Sequence, residues 1–274
     1  MLHKKITFIG AGNMAGSIIS GLAKSGYPAD LICACAPSAN NTQKLADQFS
    51  IHASQNNVTA VDWAEVIVLG VKPQMMADVC QAMVEQGADF SNKLVISIAA
   101  GVSVQRLQSL VGEKAQVIRT MPNTPSLLQK GMTGLFAAQQ VSLEYKTFAA
   151  DLMAAVGEIV WVEEESMINS VIAASGSSPA YFFLFMEAMQ TKAIEMGFDS
   201  EQARLLVSQA ALGSIEMVKQ NPDISIGKLR ENVTSKAGST AKALDTFNEL
   251  QLTEIVAKAM QAASDRGEEM EKLF

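Results

Sequence analysis

The chain has 274 residues, of which 49% are hydrophobic and 18% charged, enough for two domains of ordinary size with a large core. A net charge of −7, a pI near 5.0 and the absence of any basic cluster argue against a nucleic-acid partner. Apolar runs such as Val66–Val71 and Tyr181–Met186 are too short to cross a bilayer, so no membrane partner is expected.

The start, Met1-Leu2-His3-Lys4-Lys5, leads into a strand pattern with no apolar signal-peptide core. Cys33, Cys35 and Cys80 suit a reducing compartment, and no metal set is expected. Cys33 and Cys35 share one face of a strand, which favours packing. Together these features predict a cytoplasmic protein.

The first chemical feature is Lys5–Gly16. An apolar strand pattern ends at Gly10-Ala11-Gly12-Asn13-Met14-Ala15, and Met14, Ile18, Ile19 and Leu22 then fall on one helical face. Gly10 permits the tight turn, Gly12 allows close approach of a pyrophosphate, and the small Ala15 allows the helix to pack on the strand. The helix N-terminus offers free N–H groups to an anion. Gly26 is the expected residue just past the helix end. A plain strand-to-helix turn carries similar glycines, but strand–turn–helix order at the head of the domain favours a nucleotide site.

Short β-branched runs then alternate with helical patterns, the mark of βαβ units and a parallel sheet. Strands are predicted at Ile6–Ile9, Leu31–Ala36, Val66–Val71, Leu94–Ile98, Val117–Arg119, Thr133–Ala137 and Ile159–Val162. Helices are predicted near Met14–Ser25, Asn41–Phe49, Val58–Trp63, Gln74–Glu85, Val104–Val111 and Leu143–Val156. The fold class is therefore α/β: a Rossmann-type dinucleotide-binding domain over residues 1–162, followed by an all-helical domain over 163–274.

In that second half, Ser178-Pro179 is predicted as an N-cap with Pro at the first helical position. Asp199 with Gln202 makes a capping box for a helix running to about Lys219. A short helix ending near Val233, another over Ala241–Leu250 and a last one from Glu254 complete it. Tyr181 to Met186 is apolar all round, so this helix must be covered on every side. A domain of this size hardly manages that alone. A subunit interface is expected.

The strand ends carry the other candidates. No Asp or Glu stands from Leu31 through Ala46; Pro37, Ser38, Asn40, Asn41, Thr42 and Lys44 stand there instead. A carboxylate there would favour NAD and repel a 2′-phosphate, so the composition favours NADP, although plain turn residues read the same way. Val71-Lys72-Pro73 and Ala99-Ala100-Gly101-Val102 close two further strands and should flank a cofactor, while Lys72 reads equally as a solvated lysine. Met121-Pro122-Asn123-Thr124-Pro125 is a stiff loop suited to a pocket wall. Ser235-Lys236-Ala237-Gly238-Ser239-Thr240 precedes a helix and offers hydroxyls and free N–H groups to a carboxylate; an ordinary Ser/Thr helix cap has the same appearance.

Only His3 and His52 are present among histidines, and no Ser-His-Asp set is visible. No lysine stands near the start of the long helix, where β-hydroxyacid dehydrogenases of similar layout keep a proton donor. A carbonyl reductase needs such an acid, whereas a more basic C=N group can arrive protonated, so a weaker donor suffices. The chemistry leans toward imine reduction.

Several of these stretches resemble the pyrroline-5-carboxylate reductase family in order and spacing. They are Phe8–Met14, Val71–Pro73, Ser97–Val102, Met121–Pro125, Gly176–Tyr181 and Thr234–Leu244. One departure is Lys236-Ala237, where members often carry Pro-Gly. The resemblance implies NADPH-dependent reduction of the cyclic imine 1-pyrroline-5-carboxylate to L-proline, the last step of proline biosynthesis. It implies cofactor contacts from Ile9, Gly10, Ala11, Gly12, Asn13, Met14, Ala36, Pro37, Ser38, Asn57, Gly70, Val71, Lys72, Pro73, Ala99, Ala100 and Gly101. It implies substrate contacts from Ser235, Gly238, Ser239 and Thr240, with Thr240 as the catalytic residue near the ring nitrogen. It also implies a homodimer through interlocked C-terminal helices, with further assembly into a decamer. Reduction of a related cyclic imine or ketone, or nucleotide sensing without turnover, are the competing readings.

Overall fold

The computed structural model describes residues 2–274. An eight-stranded sheet runs in the order β3-β2-β1-β4-β5-β6-β7-β8. Its strands are β1 (Ile6–Ile9), β2 (Ile32–Cys35), β3 (His52–Ser54), β4 (Val66–Leu69), β5 (Leu94–Ser97), β6 (Gln116–Met121), β7 (Gly131–Ala137) and β8 (Gly157–Trp161). Strand order reverses between β1 and β4, which creates a topological switch point beyond their carboxyl ends. Every residue of β1, β2, β4 and β5 is buried, as expected for strands covered on both faces.

The covering helices are α1 (Asn13–Lys24), α2 (Ala39–Phe49), α3 (Asn57–Trp63), α4 (Met76–Glu85), α5 (Val104–Val111) and α6 (Leu143–Ala154). Ile18, Ile19 and Leu22 of α1 join Phe148, Leu152 and Met153 of α6 in one core layer. Cys80 and Met83 of α4 join Leu107 and Leu110 of α5 in the other, with Cys33 and Cys35. After α1, Gly26 (φ +83) closes the helix as expected: its N–H bonds Ala23 O, and Tyr27 N–H bonds Leu22 O.

The sheet departs from the parallel expectation at β7, which pairs antiparallel with β6. The connection 122–130 is shorter than the roughly dozen residues that a parallel crossover needs. The strand β3 was not legible either, because three largely exposed residues carry no alternation.

Beyond β8, α7 (Met167–Val171) runs through a π-helical turn, Ile172–Gly176, into α8 (Ser178–Glu195). Ser178 is therefore not the N-cap of a separate helix. Proline inside a helix removes one N–H and crowds the carbonyl four residues back. Here the widened turn absorbs Pro179, with Ser177 N–H bonding Ile172 O. The carbonyl that Pro179 leaves open, Ser175 O, accepts from Asn123 Nδ2 at 2.9 Å.

The remaining helices are α9 (Ser200–Gln220), α10 (Ile226–Asn232), α11 (Ser239–Glu249) and α12 (Leu252–Leu273). The Asp199–Gln202 capping box opens α9 as predicted. Two compact units result: residues up to Pro179 together with Ala262–Phe274, and Ala180–Gln261. The division thus falls later than residue 162, because α7 and the end of α12 pack with the sheet.

Candidate active site

The nucleotide-type residues gather at one edge of the sheet. The carboxyl ends of its central strands are tied together there: Gly10 N–H bonds Cys35 O at 2.8 Å, Gly70 N–H bonds Ile9 O at 2.8 Å, and Ile98 N–H bonds Leu69 O at 3.2 Å. This edge holds Ile9–Met14, Ala36–Ser38, Gly70–Pro73 and Ala99–Gly101. Gly10 (φ +98) and Gly70 touch so closely that a Cβ on Gly10 would lie 2.8 Å from Gly70 C. Only glycine fits there.

Gly12 is different. A methyl at Gly12 would meet nothing within 4 Å, so the fold itself does not demand glycine. The open space lies at the head of α1, where Gly12 is the N-cap and no side chain caps the free N–H groups. Small backbone, open space and unsatisfied donors together suit a bound anion.

A cleft of about 480 Å³ continues between α1 and α2, lined by Gly12, Asn13, Asn41, Lys44 and Leu127 among others. At the start of α2, Ser38 is the N-cap, but its hydroxyl makes no cap bond. With Lys44 nearby in the cleft and no carboxylate at the end of β2, these residues fit the extra phosphate of NADP.

Asn57 opens α3 at the end of β2, and its Oδ1 accepts from Cys35 Sγ at 3.1 Å. Sequence reasoning gave it only through the family resemblance; its partner is far away in the chain. Lys72 is exposed on the turn after β4, its carbonyl accepting from Met75 N–H. Asn123, expected as a pocket wall, is a buried staple: besides bonding Ser175 O it accepts Met132 N–H at 2.9 Å.

All three cysteines are buried and unpaired in disulfides, and burial pushes Cys35 up to about 11 and Cys80 up to about 12. Among the described residues no cluster could hold a metal ion.

The second set lies in the helical unit, on the turn leading into α11. Gly238 is the N-cap of α11, Ser239 its first residue and Thr240 its second. Gly238 N–H bonds Ser235 O at 3.0 Å, closing the turn, and a Cβ on Gly238 would strike Ser235 Oγ. No side chain caps this helix. The Ser/Thr-cap alternative for Thr240 is thereby corrected, since Thr240 stands inside the first turn and caps nothing. Ser235, Ser239 and Thr240 are all exposed.

Comparison with known proteins now decides the family. The profile described as pyrroline-5-carboxylate reductase dimerisation matches residues 165–270, and that of coenzyme F420-dependent NADP oxidoreductases matches residues 5–101. A pyrroline-5-carboxylate reductase of Vibrio alginolyticus is 60% identical over 274 residues, covering all of both chains. The chain belongs to the pyrroline-5-carboxylate reductase family. Among solved structures, the family member from Coxiella burnetii superposes with a TM-score of 0.91 at 38% identity, covering 98% of this chain and 99% of that one. The Plasmodium falciparum member, determined with NADP bound, gives 0.88 at 28% identity and covers 99% of each chain. As a family member the chain is an oxidoreductase with a Rossmann-type NADP-binding domain and a dimerisation domain. Among the described residues no helix is long and apolar enough to cross a membrane.

Proposed function

We propose that this chain reduces 1-pyrroline-5-carboxylate to L-proline with NADPH, as the last step of proline biosynthesis in the cytoplasm. The observation that carries the reading is the head of α11, a helix N-terminus with three neighbouring hydroxyls and no side-chain cap. When bound, NADPH supplies a hydride to the imine carbon. The chain's own residues bind and aim the partners of that transfer.

Free N–H groups at Ser239 and Thr240, with the Ser235 hydroxyl, receive the substrate carboxylate at the positive end of α11. Thr240 Oγ1 orients the ring nitrogen. A protonated C=N bond needs no strong acid, since hydride addition to the iminium gives the neutral secondary amine directly. The absence of a lysine near the start of α8, and of any histidine besides His3 and His52, is then no obstacle. The α1 N-terminus and Gly12 hold the pyrophosphate, Ser38 the 2′-phosphate, and the turns Gly70–Pro73 and Ala99–Gly101 flank the nicotinamide half.

The helical unit supports a homodimer through its C-terminal helices, and dimers assemble further into a decamer. Sedimentation equilibrium reads both steps. The function itself is tested by NADPH oxidation with 1-pyrroline-5-carboxylate, with NADH and a panel of ketones in parallel. Turnover of the imine with NADPH preferred is expected; turnover of ketones alone, or higher kcat/KM with NADH, would overturn the reading.

A further inference from the structure

The last turns of α12 present one face to the sheet unit. Gly267, Met270, Glu271 and Phe274 recur at the spacing that puts side chains on a single helical side. Gly267 is the buried residue of α12, and a methyl there would lie 2.8 Å from Asn169 Oδ1. Met270 lies across Gly101 (φ +70) so closely that a Cβ on that glycine would strike Met270 Cβ. Glu271 Oε1 accepts from Arg119 Nη1 at 2.6 Å and from Asn169 Nδ2 at 3.1 Å. Phe274 packs on the α4–α5 core layer, and its carbonyl accepts from Arg106 Nε at 2.7 Å.

Arg119, on β6, is fully buried. The same Nη1 also reaches Glu165 Oε1 at 3.2 Å, and that oxygen accepts Val104 N–H, the first of α5, at 2.7 Å. Arg119 Nε and Nη2 have no protein partner, so Nη1 carries its contacts to both carboxylates. The segment from Ala99 to Val104 is therefore held at three points. Ser97 Oγ accepts Ala99 N–H, Met270 covers Gly101, and Glu165 takes Val104. Two of these holds trace back to the end of α12, one through Met270 and one through the Glu271–Arg119–Glu165 bridge.

We propose that the end of α12 is a positioning clamp: Met270 and Glu271 fix the Ala99–Gly101 turn in the shape that receives NADPH, without touching the cofactor. The proposal rests on the reading of that turn as a cofactor contact. Coupling through one such packed network typically changes affinity roughly three- to thirtyfold.

The test compares full-length wild type, Met270→Ala, Met270→Leu and Glu271→Gln. NADPH Kd is measured by fluorescence titration, with melting temperature and kinetics at saturating NADPH. Lys93→Met is the control for simple destabilisation; Lys93 Nζ ties the end of α3 by bonding Val61 O, Asp62 O and Ala64 O, away from the clamp. Met270→Ala and Glu271→Gln should raise NADPH Kd at least about threefold. The imine KM at saturating NADPH should hold, Met270→Leu should restore binding, and Lys93→Met should lower the melting temperature with Kd unchanged. A smaller change in Kd for both clamp variants, or an equal rise for Lys93→Met, would overturn the clamp. If wild type fails to bind NADPH at all, the functional reading falls with it, which the wild-type titration alone reveals.

Discussion

The two units spend similar apolar content in opposite ways. Around the sheet, large side chains such as Phe8, Ile18, Phe90 and Phe148 are fully enclosed, and two core layers close on themselves. In Ala180–Gln261, only Ala203 and Val207 reach full burial, while Phe182, Phe183 and Leu184 stand 59%, 61% and 68% exposed. Burying one such side chain is worth about 1.5–3 kcal/mol, so leaving this many in water is a large unfavourable term. The first unit is complete as a single chain. The second leaves an apolar surface uncovered, in keeping with the dimerisation family model that it matches.

The largest expected effect comes from breaking that difference. Phe183→Glu would place a carboxylate where the partner's apolar surface should lie, losing roughly 1.5–3 kcal/mol of burial per copy besides the cost of the charge. Sedimentation velocity should show dissociation, and NADPH oxidation with the imine should be lost. NADPH binding should survive, because the sheet unit closes its own core. A Phe183→Glu protein that remains dimeric and active would refute the contrast, as would a stable, active wild-type monomer at micromolar concentration.

Thr240 sharpens the comparison from the substrate side. Thr240→Val keeps the shape and removes the hydroxyl. Because that hydroxyl orients the ring nitrogen, a fall in kcat/KM of roughly 5- to 150-fold is expected, the cost of leaving one polar partner unmade. Because Gly238 and not Thr240 stands at the N-cap, the melting temperature should stay near wild type. Unchanged catalysis by the Val variant would remove Thr240 from the site.

A third, smaller effect belongs to the sheet unit. Ala36→Asp sets a carboxylate at the end of β2, beside the uncommitted Ser38 hydroxyl. Repulsion of a 2′-phosphate over a few ångströms costs roughly 1–4 kcal/mol near a protein surface. The kcat/KM ratio of NADPH to NADH should fall accordingly, by about tenfold or more. An unchanged ratio would place the 2′-phosphate elsewhere.

Much of this was legible because it is periodic or local. The strand β1, the helix α5 and the Asp199–Gln202 box follow from apolar spacing and from partners three residues apart. What escaped reading depends on side chains that meet across long stretches of chain. Asn123 looks like part of a stiff proline turn, yet its amide joins Met132 to Ser175. The helix through Pro179 looked like a fresh start, because sequence cannot show a carbonyl being satisfied by a distant asparagine. Asn57 carried no pattern at all; its visible role is a bond to Cys35, across the end of β2. The gathering of the strand-end turns was readable in outline, since topology alone places them together.

The smallest expected effect concerns Ala237, in the turn that leads into α11. Ala237 adopts φ +58, the left-handed region, in the turn that Gly238 N–H closes on Ser235 O. An L-residue with a Cβ pays about 1–2 kcal/mol there, while glycine pays nothing sterically but loses about 0.5–1 kcal/mol more in chain entropy on folding. The balance predicts that Ala237→Gly stabilises the protein slightly, by about 0.5–1 kcal/mol, or a rise of roughly 1–4 °C in melting temperature. Ala237→Val should do the reverse, because a β-branched side chain tolerates this conformation least. Since glycine preserves the observed backbone, the imine KM should change little, and any change should come with kcat intact. If Ala237→Gly lowers the melting temperature, or if the glycine and valine variants move it alike, the left-handed conformation at Ala237 is not the one that this turn holds.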